Sequence, residues 1–318
     1  MKIAILDAKT LGDDISLEAF FDYGEVSVYD TTTPTEMHER VADAEVIILN
    51  KIRCNAETLQ NAKSLRLICV AATGYDNIDL AYCRSRKIAV CNVVGYSTES
   101  VAQLTLSMVL SLATNLTSFG TYVNDGRYTK SGVANALTPV FHELAGKTWG
   151  IYGYGNIGKK VARIADAIGC RVIVTKKTQT EEAFPVTDLD ILCHESDILT
   201  VHTPLNEMTR GSINEARVAS MKSDAILVNV ARGAVMDEAA VASAILTGKL
   251  GGFGCDVYTE EPFPLSHPYQ RLLGHPNVIL TPHMAWGSHE ARERCVNEIA
   301  KNIRAFVAGE IRNRVDIV

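Results

Sequence analysis

The sequence of 318 residues has no excess of positive charge. Its 31 Lys and Arg residues stand against 37 Asp and Glu residues, which gives a formal net charge of −6 at pH 7. No run of basic residues interrupts this balance. Proteins that bind DNA or RNA neutralise phosphates with clustered Lys and Arg side chains. The composition therefore argues against a nucleic-acid partner.

Long apolar runs and a cleavable leader are missing as well. The most apolar helical segment, residues 101–116, includes six polar side chains. It is shorter than the roughly 20 residues that cross a bilayer as a helix. The first segment, Lys2–Asp7, has the pattern of a strand with an acidic end and lacks a small-residue cleavage site. We therefore expect a cytoplasmic protein with no membrane segment.

The cysteines show no metal-binding spacing. All eight are scattered, and none forms a Cys-x-x-Cys or Cys/His pattern. Several lie inside apolar runs, as Cys69 does within Leu67–Val70. We therefore predict buried, reduced thiols and no metal ion.

One glycine motif dominates what is present. The segment 153–158 has the spacing G-x-G-x-x-G and lies between an apolar run, 149–152, and a helical stretch, 157–168, with a further apolar run at 171–175. Gly-rich turns are common, but this order of strand, loop, helix and strand is typical of a dinucleotide-binding unit. The glycines permit a tight turn and a close approach to a pyrophosphate, and the helix N-terminus attracts phosphates. The predicted cofactor contacts of the loop are Gly153, Tyr154, Gly155, Asn156, Ile157 and Gly158.

Short apolar runs alternate with helical segments along the rest of the chain. In the first half, the predicted strands are Lys2–Asp7, Glu25–Tyr29, Glu45–Leu49, Leu65–Ala71 and Ile88–Val94. The predicted helices between them are Ser16–Phe21, Thr35–Ala42, Ala56–Asn61 and Leu80–Arg86. After the glycine motif, the predicted strands are Arg171–Thr175, Ile198–Val201, Ala225–Val230, Gly252–Val257 and Val278–Leu280, and a helix at Glu290–Ala308 ends the chain. This alternation predicts an α/β fold with parallel sheets, in about two domains.

Three polar residues follow successive strands of the second set: Arg232, Glu261 and His283. Ligands of open α/β sheets bind beyond the carboxyl ends of the strands. Arg holds a carboxylate in a fixed fork, His exchanges protons near neutral pH, and Glu orients an imidazole and favours its protonated form. Each residue alone has a plainer interpretation: a strand-capping Arg, a solvated loop acid and a structural loop His. Their shared position after a dinucleotide motif favours a chemical role.

With these residues in place, the chain resembles the D-isomer-specific 2-hydroxyacid dehydrogenase family almost from end to end. The segments that carry the resemblance are 72–79 (ATGYDNID), 95–103 (GYSTESVAQ), 143–148 (ELAGKT), 202–206 (HTPLN), 229–233 (NVARG), 256–262 (DVYTEEP) and 282–283 (PH). The resemblance implies two Rossmann-like, doubly wound parallel-sheet domains. The cofactor domain, 98–283, would be inserted into a flavodoxin-like substrate domain formed by 1–97 and 284–318. An arm at about 118–145 would cover a partner in a homodimer.

The resemblance also implies a reaction and roles for single residues. The reaction is hydride transfer between a nicotinamide cofactor and C2 of a small 2-oxo or D-2-hydroxy acid. Arg232, with the backbone at Thr73 and Gly74, would hold the substrate. His283 would protonate the keto oxygen, and Glu261 would keep His283 protonated. Lys51, at the end of an early strand, could also reach the substrate. Further cofactor contacts would come from Thr98, His202, Thr203, Pro204, Val230, Ala231, Asp256 and His283.

Two positions bear on specificity. Trp286 resembles the Pro-His-x-Ala-Trp pattern of glycerate dehydrogenase and hydroxypyruvate reductase members, which favours hydroxypyruvate or glyoxylate as substrate. A Trp that simply packs in a core is the alternative. An NAD-specific fold places Asp or Glu after the second strand of the unit. Here the segment 174–178 offers Lys176 and Lys177 instead, so we expect NAD(P)H with a preference for NADP(H), against the alternative of solvated lysines beside NAD.

Two other functions stay open. One is a dehydrogenase of a bulkier D-2-hydroxy acid, which a substrate profile would identify. The other is a non-enzymatic, NAD(H)-sensing protein of the same fold, which would show cofactor-dependent assembly and negligible turnover.

Overall fold

The structure, a computed structural model, describes residues 1–176 and 183–317. The chain divides into two compact units. The first consists of Met1–Ser97 and Trp286–Val318, and the second, Thr98–Ala285, is inserted between these two segments. Each unit is built on its own parallel β-sheet.

The first unit contains a five-stranded parallel sheet. Its strands are β1 (Lys2–Ile5), β2 (Glu25–Val28), β3 (Val46–Leu49), β4 (Leu67–Val70) and β5 (Ala89–Cys91). The order β2-β1-β3-β4-β5 is the flavodoxin-like one. Every residue of β3 and β4 is buried, as expected for central strands of a parallel sheet that is covered on both faces.

Three α-helices and two 3₁₀ helices accompany this sheet within the described residues. They are α1 (Pro34–Arg40), α2 (Leu80–Ser85), α10 (His289–Val307) and the 3₁₀ helices Ala8–Leu11 and Glu18–Tyr23. Helix α10 begins after Ser288, whose hydroxyl accepts from the Ala291 N–H. It buries a stripe with a spacing of four residues, formed by Ala291, Cys295, Ile299 and Ile303.

Two of the predicted helices in the first unit have a different form. The segment 16–21 begins later, as the 3₁₀ helix Glu18–Tyr23. The segment 56–61 is a series of turns and no helix. There the Asn55 side chain accepts from the N–H groups of Glu57 and Thr58. Such local side-chain bonds compete with helix formation in a short segment.

The second unit contains a six-stranded parallel sheet. Its strands are β6 (Thr148–Tyr152), β7 (Arg171–Thr175), β8 (Ile198–Val201), β9 (Ile226–Asn229), β10 (Gly252–Cys255) and β11 (Val278–Leu280). The order is β7-β6-β8-β9-β10-β11, so the direction of winding reverses between β6 and β8. The predicted α/β class with two doubly wound parallel sheets is thereby confirmed.

Helices flank this second sheet. They are α3 (Thr98–Ala113), α4 (Leu116–Asn124), α5 (Arg127–Ser131), α6 (Asn156–Ala167), α7 (Leu189–Glu195), α8 (Glu215–Ser220), α9 (Glu238–Leu246) and the 3₁₀ helices Gly233–Val235 and Pro268–Leu272. Glycines in β10 let α3 lie close to the sheet. A Cβ atom on Gly254 would lie 3.1 Å from the Met108 sulfur, and one on Gly252 would lie 3.4 Å from Leu112. Small residues in β10 therefore set the distance between helix and sheet.

The segment predicted as an arm is largely exposed. It includes the end of α4 and the short helix α5, and residues 132–145 after α5 contain no helix or strand. Its exposed apolar side chains include Val133, Leu137, Val140 and Phe141.

All eight cysteines are free and buried, as predicted. Burial raises the pKa of Cys170 to about 11 and that of Cys193 to about 12. Across residues 1–176 and 183–317, no group of three or more His, Cys, Asp or Glu side chains is arranged to hold a metal ion. No helix in those same ranges has the length and apolar character needed to cross a membrane.

Candidate functional site

The glycine loop lies at the carboxyl end of β6, beside the point where the strand order reverses. Gly153 has φ +100°, and a Cβ atom there would lie 2.5 Å from the Thr203 nitrogen. A Cβ atom on Gly158 would lie 2.1 Å from the Gly153 oxygen. The fold itself therefore requires glycine at these two positions.

Gly155 differs, because a Cβ atom there would meet nothing within 4 Å. This residue is the N-cap of α6 and, as a glycine, has no side chain to cap the first N–H groups of that helix. The free N–H groups at the start of a helix bind phosphate, and the helix dipole adds to the attraction. Open space in front of them fits a pyrophosphate that approaches the backbone.

His202 follows β8 and lies against the same loop, since a Cβ atom on Gly153 would be 2.7 Å from the His202 carbonyl carbon. Its Nε2 atom is 3.0 Å from the Thr200 hydroxyl, which accepts from Trp149 Nε1 at 3.1 Å. Its Nδ1 atom is buried and has no hydrogen-bond partner among the described residues. Burial lowers the pKa of His202 to about 3. This neutral imidazole, with an unsatisfied buried atom, fits a polar ligand at the glycine loop.

Three other predicted cofactor residues lie on the same unit. Thr203 is buried, and Pro204 is exposed. Thr98 is the first residue of α3.

The position predicted to select the cofactor follows β7. Lys176 is half-buried there, and no carboxylate occupies its place. The ring of Tyr154 packs edge-on against Phe184, with their centroids 6.5 Å apart, and Lys159 lies 5.4 Å from the centroid of the Tyr154 ring. Lys177, the second lysine of the prediction, lies outside the described residues.

Arg232 follows β9 and is oriented by Asn229, the last residue of that strand. The buried Asn229 side chain accepts from the Ala231 N–H at 3.0 Å and donates to the Arg232 carbonyl at 2.9 Å. The half-buried Arg232 side chain donates to the Ala231 carbonyl at 2.8 Å. Val230 and Ala231 form the turn that separates β9 from this arginine.

Glu261 and His283 form a hydrogen-bonded pair. His283 Nδ1 donates to Glu261 Oε2 at 2.6 Å, and the side chains are 21% and 31% exposed, respectively. Glu261 Oε1 accepts from the Tyr258 N–H at 2.9 Å. His283 has φ +52°, a left-handed conformation that is unusual outside glycine. Because Nδ1 carries the proton toward the carboxylate, Nε2 is the ring nitrogen on the side away from Glu261.

Asp256 holds the loop that carries His283. Its Oδ1 atom accepts from the Thr281 hydroxyl at 2.5 Å and the Met284 N–H at 2.9 Å, and its Oδ2 atom accepts from the Ala285 N–H at 2.8 Å. Burial raises the pKa of this carboxyl despite these donors. The sequence interpretation assigned Asp256 to the cofactor and missed this supporting contact with the His283 loop.

The predicted substrate residues of the first unit also follow strand ends. Thr73 and Gly74 come after β4, and the Thr73 carbonyl accepts from the side chain of Asn92 at 2.7 Å. Lys51 comes after β3, and its N–H donates to Asp7 Oδ2 at 2.8 Å. Asp7 also accepts from the Asn50 N–H at 2.9 Å.

Sequence reasoning missed the role of Asp7. It is buried two residues after the end of β1, and burial raises its pKa. An acidic residue directly after the apolar run Ile3–Leu6 was the available signal. Trp286 packs edge-on against Tyr96, with their centroids 6.2 Å apart, and contributes to the core of the first unit. This packing agrees with the structural alternative for Trp286.

The geometry thus gathers Arg232, Glu261, His283 and the glycine loop at one edge of the second sheet, where six parallel strands end. Thr73, Gly74, Lys51 and Trp286 belong to the first unit.

Comparison with known proteins agrees with this arrangement. The sequence model of the family described as D-isomer specific 2-hydroxyacid dehydrogenase, NAD binding domain, matches residues 106–285. The chain is 35% identical to the glycerate dehydrogenase of Methylorubrum extorquens, over 99% of either chain. It is 36% identical to the glyoxylate reductase of Thermococcus litoralis, over 86% of this chain and 83% of the relative.

A solved structure agrees in fold. The D-lactate dehydrogenase of Aquifex aeolicus, determined with NAD and lactic acid, has a TM-score of 0.88 against this chain. The two chains are 30% identical, and the match covers 99% of each.

Proposed function

Because the chain belongs to the D-isomer-specific 2-hydroxyacid dehydrogenase family, and is therefore an oxidoreductase that uses a nicotinamide cofactor, we propose that it reduces hydroxypyruvate or glyoxylate. In the opposite direction it would be a D-glycerate dehydrogenase. The observation that carries the chemistry is the Glu261–His283 pair at 2.6 Å, on the same sheet edge as the glycine loop. The names of the relatives support the choice of small, polar 2-oxo acids.

In this proposal, His283 is the general acid of reduction. Its Nε2–H protonates the keto oxygen, and in oxidation the neutral imidazole takes the hydroxyl proton. Glu261 favours the protonated imidazole and fixes the ring, because its carboxylate accepts the Nδ1 proton. Arg232 binds the substrate carboxylate with its guanidinium fork.

We assign the cofactor to the second unit. When bound, a nicotinamide cofactor supplies or accepts the hydride. The start of α6 and the glycine loop would hold its pyrophosphate, and the buried Nδ1 atom of His202, which has no hydrogen-bond partner among the described residues, would gain one from the cofactor. Lys176, in the place of an acidic residue, would attract a 2′-phosphate, which underlies a preference for NADP(H).

We assign substrate binding in the first unit to the N–H groups of Thr73 and Gly74 and to Lys51, which Asp7 holds through its backbone. The first unit would then be the substrate domain. The exposed apolar residues of the arm, such as Leu137 and Phe141, support a homodimer in which the arm covers a partner.

The test is the initial rate of cofactor oxidation with hydroxypyruvate and glyoxylate, measured with NADPH and NADH side by side. We expect turnover with both acids and a higher rate with NADPH. Turnover confined to larger, apolar 2-oxo acids would indicate a dehydrogenase of a bulkier D-2-hydroxy acid instead. Cofactor binding with no turnover on any 2-oxo acid would overturn the proposal and favour an NAD(H)-sensing protein.

A further inference from the structure

A buried acid–imidazole pair, Glu238 and His267, is hydrogen-bonded to the loop that carries Glu261. Glu238 is the first residue of α9, and His267 immediately precedes the 3₁₀ helix Pro268–Leu272. His267 Nε2 and Glu238 Oε2 are 2.8 Å apart, and the side chains are 5% and 10% exposed, respectively. Burying such polar groups is costly unless each is hydrogen-bonded. Neither residue takes part in the chemistry proposed above.

The hydrogen bonds of the pair define its protonation. His267 Nδ1 accepts from the Tyr269 N–H at 3.2 Å. The ring proton is therefore on Nε2, which donates to Glu238 Oε2. The other carboxylate oxygen, Oε1, accepts from the Thr259 N–H at 2.9 Å. Glu238 thus connects His267 to the segment that follows β10.

Aromatic packing fixes the His267 ring. Its centroid lies 4.9 Å from that of Tyr269, 5.0 Å from that of Phe263 and 6.2 Å from that of Tyr258. A ring held on these sides has little freedom to turn away from Glu238. The Nε2–H group of His267, which donates to Glu238, is therefore held in place.

The peptide between Tyr258 and Thr259 is the point on which this pair acts. Its own N–H, that of Thr259, donates to Glu238 Oε1 at 2.9 Å, and the N–H of the preceding peptide, that of Tyr258, donates to Glu261 Oε1 at 2.9 Å. The same peptide lies against Gly233, where a Cβ atom would be 2.1 Å from the Tyr258 carbonyl carbon. The Tyr258 hydroxyl donates to the Thr281 carbonyl at 2.8 Å. Through this peptide and its side chain, Tyr258 thus contacts the segments after β9 and β11.

We propose that Glu238 and His267 are positioning residues, which hold the Tyr258–Thr259 peptide and thereby fix the Glu261 carboxylate against His283. This inference rests on the proposed function, because it assigns the pair to the same reaction. Losing the His267 donor leaves a buried carboxylate oxygen unsatisfied. Glu238 then turns toward water and releases the Thr259 N–H.

Three variants separate this role from general stability. His267→Leu removes the donor to Glu238. His267→Gln restores a side-chain N–H near the position of Nε2 and is the rescue variant. His275→Leu is the matched control, because His275 Nδ1 also accepts a backbone N–H two residues on, from Asn277 at 3.2 Å, but in the segment that precedes β11. If His267→Leu does not fold, Glu238→Ala, which removes the acceptor of the Thr259 N–H, takes its place.

Two readouts are needed, and one does not depend on turnover. Amide hydrogen exchange at Tyr258 and Thr259 reports on the loop, and kcat with hydroxypyruvate reports on the chemistry. We expect His267→Leu to exchange these amides faster and to lower kcat by about 10²-fold, the scale of a misplaced catalytic group. Its Kd for NADPH should change by less than about threefold, since kcat and binding report different contacts. His267→Gln should recover most of kcat, and His275→Leu should match the wild type.

Unchanged exchange in His267→Leu would overturn the inference, whatever happens to kcat. So would faster exchange with a wild-type kcat, or a loss that His267→Gln fails to rescue. If the wild-type protein turned over no 2-oxo acid, the proposed function would fail, and the exchange data alone would decide whether the pair holds the loop.

Discussion

Exchanging Glu261 for Gln removes one negative charge next to His283 and changes little else. The Gln oxygen can still accept from the Tyr258 N–H, which donates to Glu261 at 2.9 Å. The Gln amide nitrogen then faces His283 Nδ1, so the ring must shift its proton to Nε2. A neutral imidazole donates from Nε2 as a weaker acid than the imidazolium that the carboxylate favours. We therefore expect slower reduction of the 2-oxo acid.

The expected loss of kcat follows from the strength of the Glu261–His283 hydrogen bond. A hydrogen bond to a charged group contributes about 1.5–3 kcal/mol. The two side chains are 21% and 31% exposed, and water screens part of their interaction, so the lower end of that range applies. A barrier higher by about 1.4 kcal/mol slows a reaction roughly tenfold.

The assay is the pH profile of kcat for reduction at saturating cofactor, with NADPH affinity measured separately by titration. Glu260→Gln is the control, because it removes the same charge from the neighbouring, exposed position of the same loop. A kcat for Glu261→Gln within about twofold of wild type at every pH would remove Glu261 from the transition state. Equal losses in both variants would attribute the effect to net charge.

Further predictions concern the cofactor unit and the stability of the first unit. Gly155→Ala should fold normally, because its Cβ meets nothing in the protein, yet bind cofactor more weakly, because the Cβ fills the space in front of α6. Gly158→Ala should also lower the melting temperature, because its Cβ would lie 2.1 Å from a backbone oxygen. Calorimetry and cofactor titration separate the two effects. Lys176→Asp should reduce the preference for NADPH over NADH by about 10- to 100-fold, the scale of one charged hydrogen bond, and an unchanged ratio of kcat/KM values would remove Lys176 from cofactor selection. The hydrogen bond to Asp14 raises the pKa of His289. The stabilisation from this bond is complete below the pKa of His in the unfolded chain, about 6.5, and is lost as pH rises through the raised pKa. The melting-temperature difference between wild type and His289→Asn should therefore be larger at about pH 6 than at about pH 9.

Sequence patterns predicted several strands of the second sheet to the residue. The bounds of β7, β8 and β11 agree with the prediction, because each strand is a short apolar run bounded by polar residues. Helices α7, α8 and α9 were not predicted. They are short, and their formation depends on packing against the sheet more than on intrinsic propensity.

The residues of the candidate site also fall into those that the sequence predicts and those that it misses. Arg232, Glu261 and His283 were found because each follows a recognisable strand in a dense motif. Asp7 and Asp256 were missed as supporting residues, since their role is to accept backbone N–H groups from segments distant in sequence. Such contacts exist only after the chain has folded, and no spacing along the sequence encodes them. The close approach at Gly233 is of the same kind.

The buried thiols make the protein a ready background for site-specific labelling. Maleimide and disulfide reagents attack the thiolate, and burial raises the pKa of every native cysteine. A single cysteine introduced at an exposed position, such as Glu57→Cys, would therefore react ahead of the other eight. Fluorophores could be attached one site at a time to the otherwise natural sequence, without first replacing residues of its core.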